Sequence, residues 1–241
     1  MEVIKAQICN QGEECLHAVP AALAAQGKLL QESFGAALDT VQKAYAAELQ
    51  SNPGKENASL TALWSQVRDA MAADLDMLTT LQRWIYVLVP KIEDGGNFGV
   101  GIQLDVLKML KAQIEALEKS LDALPDYFGK RADAMEKVVN KTSKTTKKTS
   151  SKTQSKGGKD GDEDKASSSE TVEDSATEST ALPDALQNVV AIDMRCYLQL
   201  RKGLEQGRDA VLIAADMTSK NMDKILKPKG NSEGGGSSFM F

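Results

Sequence analysis

Covalent chemistry has few footholds in this sequence. His17 is the only histidine, so a Ser-His or Cys-His nucleophile would have to use it. None of Cys9, Cys15 and Cys196 lies at a strand-turn-helix elbow. His17 reads as a histidine on a helix flank. Glu93 and Asp94 are the residue types of general acid–base catalysis, but adjacent residues on one connection do not hold a substrate between them. Gly95-Gly96-Asn97-Phe98-Gly99-Val100-Gly101 is glycine-rich in the manner of a phosphate loop. It lacks the Gly-Lys-Ser/Thr ending and follows a helical pattern, not a strand. No Cys/His spacing suits zinc, and no calcium-loop pattern is present. The reading is a protein without catalytic residues, metal or cofactor.

Recognition chemistry is better represented, in two places. In Pro90-Lys91-Ile92-Glu93-Asp94-Gly95-Gly96-Asn97-Phe98-Gly99-Val100, Pro90 stops a helix and pushes Val89 towards an extended conformation. The glycines then open backbone angles that other residues resist, and Asn97 suits the N-cap of the next helix. Two acids, an amide and a phenylalanine exceed what a helix–helix turn needs. The second place is the end of the chain, where a Gly/Ser tether runs into Phe239-Met240-Phe241 and a carboxylate. Such an end is either a frayed terminus or a tethered anchor for a pocket. Several weak anchors on one symmetric ring would add through effective concentration.

These two stretches must be positioned by long helices. Six prolines, five of them near expected helix ends or turns, and abundant Ala, Leu, Lys, Glu and Gln favour an all-α class. From about 13 to 50 the apolar positions Leu16, Val19, Leu23, Leu30, Phe34, Leu38, Val41, Tyr45 and Leu49 form one face, with Pro20 as a kink or the true start. Residues 1–12 read as poorly ordered. A second helix covers about 59–90, capped by Asn57 or Ser59. A third, about 98–140, has the cleanest seam: Leu107, Leu110, Ile114, Leu117, Leu121, Leu124 and Phe128, with a bend expected at Pro125. A fourth runs from about 183 to 227, where Pro228 ends it. Helices of this length measure about 50–65 Å. Short connections make neighbours antiparallel, giving an up-down-up-down bundle with the 90–98 connection and the C-terminus at one end.

Between the third and fourth helices, 141–159 holds seven lysines and 160–178 eight acids and one lysine. That segment, 141–181, cannot bury enough apolar surface to offset ordering and reads as a disordered insert; a solvated linker is preferred over a nuclear-localisation signal. The residues outside it make one domain, with a flexible tail over 228–241. The net charge of −5 and the absence of a basic, aromatic-interleaved groove argue against nucleic acid. No apolar run spans a membrane. Three cysteines without a CxxC pair, and no signal peptide, suggest free thiols in a reducing compartment, cytosolic or nuclear.

Residues 81–102, from Leu81-Gln82-Arg83-Trp84-Ile85-Tyr86-Val87-Leu88-Val89 through the glycine-rich connection, closely resemble the activation-loop region of the 11S (REG) proteasome activators. Weaker resemblances cover Tyr127-Phe128-Gly129-Lys130-Arg131-Ala132-Asp133-Ala134 and Asp223-Lys224-Ile225-Leu226-Lys227-Pro228-Lys229-Gly230. The resemblance implies a four-helix subunit in a homo-oligomeric, heptameric ring that docks on the α subunits of the 20S proteasome and opens its gate without ATP. It implies an activation loop at 91–99, with Glu93, Asp94, Gly95, Asn97, Phe98 and Gly99, and a pocket-binding tail ending in Met240 and Phe241. Asn97 can serve as N-cap or gate contact, and Glu93 as gate contact or helix-dipole partner. Two departures stand out: the animal relatives carry their charged segment between helices one and two, and this tail is longer and richer in glycine. The competing reading is a scaffold or coiled-coil adaptor that offers the Leu107–Phe128 seam to a partner helix.

Overall fold

In a computed structural model the described residues are 1–51, 54–91, 98–150 and 183–229, with side chains except at 98 and 139–150. All elements among them are helices: α1 (Glu2–Phe34), α2 (Leu38–Ser51), α3 (Ala58–Leu88), α4 (Phe98–Asp122), α5 (Asp126–Ser150), α6 (Pro183–Lys220) and α7 (Met222–Leu226). They form the expected all-α bundle. α3 lies at its centre, packed on α1, α4 and α6. Its inward face, Leu60, Val67, Met71, Leu78, Leu81, Trp84 and Ile85, is at most 1% exposed. Each of these contributes about 1.5–3 kcal/mol by leaving water. α6 answers with Val189, Tyr197, Leu200, Leu204, Val211 and Ala214.

Contacts along the bundle fix the chain's direction. Gly12 on α1 meets Trp84 near the end of α3. At the opposite end the ring of Phe34 lies 4.9 Å from that of Tyr197, and Asn57 at the start of α3 donates to Asp193 on α6. Successive limbs therefore run up, down, up and down.

The helices divide differently from the sequence reading in several places. Residues 1–12, read as poorly ordered, form the first turns of α1. Ile8 and Cys9 pack on the core, and Gly12 is buried so closely that a Cβ there would run into the Trp84 indole. The contact is made by an absent side chain, which an apolar periodicity cannot register. Pro20 sits inside α1 and does not start it. The helix expected over 13–50 instead breaks at 35–37. Phe34 and Tyr45 would be about 16 Å apart along an unbroken helix; the break brings both onto Tyr197, with Tyr45 at 6.3 Å edge-on.

The third helix, expected over 98–140, is broken at Pro125 rather than bent. Leu124 N–H donates to Leu121 (3.1 Å) and Phe128 N–H to Pro125 (3.1 Å). Proline supplies no N–H to the ladder, and the Trp64 indole donates to the Leu124 carbonyl at 3.2 Å. α5 then continues to Ser150, into the segment read as disordered from 141. Propagating an existing helix adds a bond for each residue fixed, and lysine is a good helix former. Residues 151–182 lie outside the described part. The fourth limb is likewise α6 plus the short α7, separated at Asn221.

Candidate functional site

The end of the bundle that carries the glycine-rich connection is assembled from three helix termini. α3 stops where the proline requires it: Val89 is extended (φ −63°, ψ 119°), and its N–H returns to Tyr86. α4 begins at Phe98. α7 closes with Lys227 N–H donating to Asp223 at 3.0 Å, and Ile225 beneath it is fully buried.

One side chain joins these termini. Gln103, in the second turn of α4, is 0% exposed. Its Nε2 donates to the Ile225 carbonyl at 2.7 Å and to the Leu88 carbonyl at 3.2 Å. Both acceptors belong to helix ends, where carbonyls have no intrahelical donor. Closer still to the connection, a Cβ on Gly99 would collide with the Pro228 carbonyl oxygen and lie 2.6 Å from its Cα. Only glycine lets the first turn of α4 lie against the C-terminal exit.

Of the residues singled out in the sequence, Glu93, Asp94, Gly95 and Asn97 lie outside the described residues, as do Met240 and Phe241. Phe98 begins α4, its side chain not described; Gly99 is buried against Pro228. Gln103 was missed. It occupies a core position in a run of Gly99, Gln103, Val106 and Leu110, all buried, so the seam starts earlier than its apolar members indicate. A polar residue in register with that seam was the available signal.

Elsewhere the chemistry is structural. His17 is exposed on α1. Burial and the nearby Asp193 push the Cys196 thiol up to about 12, and burial raises Cys15 as well, which keeps both thiols protonated and poorly nucleophilic. Asp193 is 1% exposed and accepts from Asn57 Nδ2 (3.2 Å), Tyr127 Oη (3.0 Å) and Arg131 Nε (3.0 Å). Asn57 also accepts from Leu60 N–H as the cap of α3, so this knot ties α3, α5 and α6 at the end opposite Gln103. Among the described residues no cluster suits a metal ion and no helix is long and apolar enough to cross a membrane.

Gln82, Arg83, Tyr86, Leu107, Lys108 and Lys111 line an open groove of about 500 Å³ between α3 and α4. Of the Leu107–Phe128 seam, Leu110, Leu117 and Leu124 are 0–7% exposed inside this chain's own core, whereas Leu107, Ile114 and Leu121 are partly buried and Phe128 is exposed.

Residues 54–146 match the family model described as proteasome activator PA28, C-terminal. The chain is 24% identical over 178 residues to the proteasome activator complex subunit 3 of Homo sapiens, and equally to that of Gallus gallus, covering 74% of this chain and 55% of theirs. It thus spans about half the length of these curated relatives. Its fold is similar to the 11S subunit of the Plasmodium falciparum proteasome, PA28 (TM-score 0.60, 18% identity, 95% of this chain and 92% of that one). It is also similar to a chain in a structure of an archaebacterial 20S proteasome–PA26 complex (TM-score 0.62, 15% identity, 98% and 99% of the two chains).

Proposed function

We propose that this chain, whose residues 54–146 match the PA28 C-terminal model, belongs to the 11S proteasome activator family and is an ATP-independent activator of the 20S proteasome. The observation that carries the reading is the meeting of Gly99 with Pro228 and of Gln103 with Leu88 and Ile225. An activator that binds with its tail and opens a gate with a loop needs both on one face. Here the flanks of the 92–97 connection and the C-terminal exit are side by side.

In this reading the chain is regulatory and carries out no catalysis. Copies assemble into a ring, of about seven by family resemblance, and dock on the α subunits. The tails through Met240 and Phe241 supply attachment by effective concentration. Glu93, Asp94, Gly95, Asn97, Phe98 and Gly99 form the loop that meets the gate. Exposed apolar side chains such as Tyr86 (72%), Leu104 (54%) and Leu212 (50%) are surface that a ring would cover. The partner sets the location, cytoplasm or nucleus. The ends of α5 and α6 that flank residues 151–182 lie at the opposite end from the Gln103 joint.

Deleting Phe239-Met240-Phe241 tests the attachment. Co-sedimentation with latent 20S particles is expected to disappear while helical circular dichroism stays unchanged. Undiminished co-sedimentation of the truncated chain would refute the tail as anchor.

A further inference from the structure

Helix C-termini leave carbonyl oxygens without intrahelical donors, and these must find partners elsewhere. At the loop-bearing end α3 and α7 both finish with such carbonyls, and a single amide from a third helix serves both. Gln103 Nε2 lies 2.7 Å from Ile225 O and 3.2 Å from Leu88 O. Its amide nitrogen carries two N–H donors, and both are used. The opposite amide orientation would face an oxygen with two carbonyl oxygens, so chemistry dictates the placement.

Leu88 leads directly into Val89-Pro90-Lys91, the entry to the 92–97 connection. Ile225 leads into Lys227-Pro228-Lys229, the way out to the tail. Gln103 itself stands on the helix that the connection enters. A second, independent contact reinforces the joint: the backbone of Pro228 fills the space where a Cβ of Gly99 would be. Gln103 and Ile225 are fully buried, so water does not compete for the bond between them, while the bond to Leu88 is partly buried.

We propose that Gln103 is a positioning residue that clasps the C-terminal exit to both flanks of the 92–97 connection, so that the seat taken by a bound tail fixes where the connection is presented. The transmission part rests on the activator reading above; the clasp itself does not. With the clasp intact, a restraint applied beyond Lys229 reaches Leu88 and the start of α4 through two hydrogen bonds and one backbone contact. Without it, α7 can be held by its tail while the ends of α3 and α4 shift independently.

The test compares the full chain with two variants. Gln103→Met keeps the length and removes both donors, and Gly99→Ala disturbs the joint from the other contact. Hydrogen–deuterium exchange reads the clasp without any proteasome. The Val89 and Lys227 amides, bonded to Tyr86 and Asp223, should both exchange about tenfold faster in Gln103→Met, as for loss of one buried hydrogen bond. Amides around Asn57 and Asp193 should not change. Acceleration at one terminus only, or at neither, would overturn the clasp.

Latent 20S particles read the transmission. Affinity, carried by the tails, should stay within about threefold of the original, while maximal peptide hydrolysis at saturating activator falls about tenfold or more in both variants. A merely structural lesion would lower binding and stimulation together. Full stimulation by either folded variant at saturation would overturn the proposal. If the unsubstituted chain itself fails to stimulate while the exchange result holds, the activator reading fails and takes the transmission with it. A Gln103→Met chain that does not fold leaves Gly99→Ala to decide by the same two readings.

Discussion

Asp74 sits in the middle of the bundle with no exposed surface. It accepts from Gln26 Nε2 on α1 and faces Gly207 on α6, where a Cβ would run into its Oδ2. Burial raises its carboxyl from 3.8 to about 6, against a smaller lowering by Gln26. The folded state therefore binds the proton more tightly than the unfolded one. Stability is unimpaired by this group below about pH 4, falls as pH rises towards 6, and stays lower by about 3 kcal/mol at neutral pH. Asp74→Asn should raise the melting temperature at pH 7.5, with the gain shrinking towards pH 4; an equal effect at both values would show that charge is not the cause. Asn97 poses a different question, since its side chain is assigned to the gate contact by resemblance. Asn97→Tyr should leave oligomerisation and proteasome binding in place and reduce peptidase stimulation. Loss of the oligomer in that variant would count against the loop assignment.

Among the elements, those whose inward face is a row of apolar side chains were legible in advance. α3 and the Leu107–Leu124 seam are such rows. Pro90 and Asn57 also announced their terminus and cap by local chemistry alone. What escaped reading depends on partners distant in sequence. The first turns of α1 dock through Gly12 against Trp84, and the break at 35–37 is useful only because Tyr197 receives both Phe34 and Tyr45. Gln103 was hidden by its polarity, although its register was that of a core residue. The Asp193 knot was hidden for the same reason, since its donors come from two stretches, at 57 and at 127–131, far in sequence from Asp193. Arg131 is the cationic member of that knot, and its side chain is 12% exposed beside that of Asp193, which is 2% exposed. Arg131→Ala would leave Asp193 buried without its cation, which costs about 3 kcal/mol. Chemical denaturation should show that loss in the midpoint, with an unchanged slope. A loss below about 0.5 kcal/mol, the range of surface substitutions, would mean that Asn57 and Tyr127 suffice.

At the scale of the whole molecule, four antiparallel limbs put the connection flanks and the C-terminal exit at one end, with the ends of α5 and α6 that flank 151–182 at the other. Light scattering should therefore return a mass near seven chains, by the resemblance to ring-forming activators. Removing residues 151–181 should leave that mass unaltered. A monomer or dimer at working concentration would favour a non-ring role. The most direct measurement of the central claim is hydrolysis of short fluorogenic peptides by latent 20S proteasome, with and without this protein and without nucleotide. The account predicts a large stimulation that disappears when the last three residues are removed. No stimulation by a folded ring, across proteasomes from matched and unmatched sources, would contradict it.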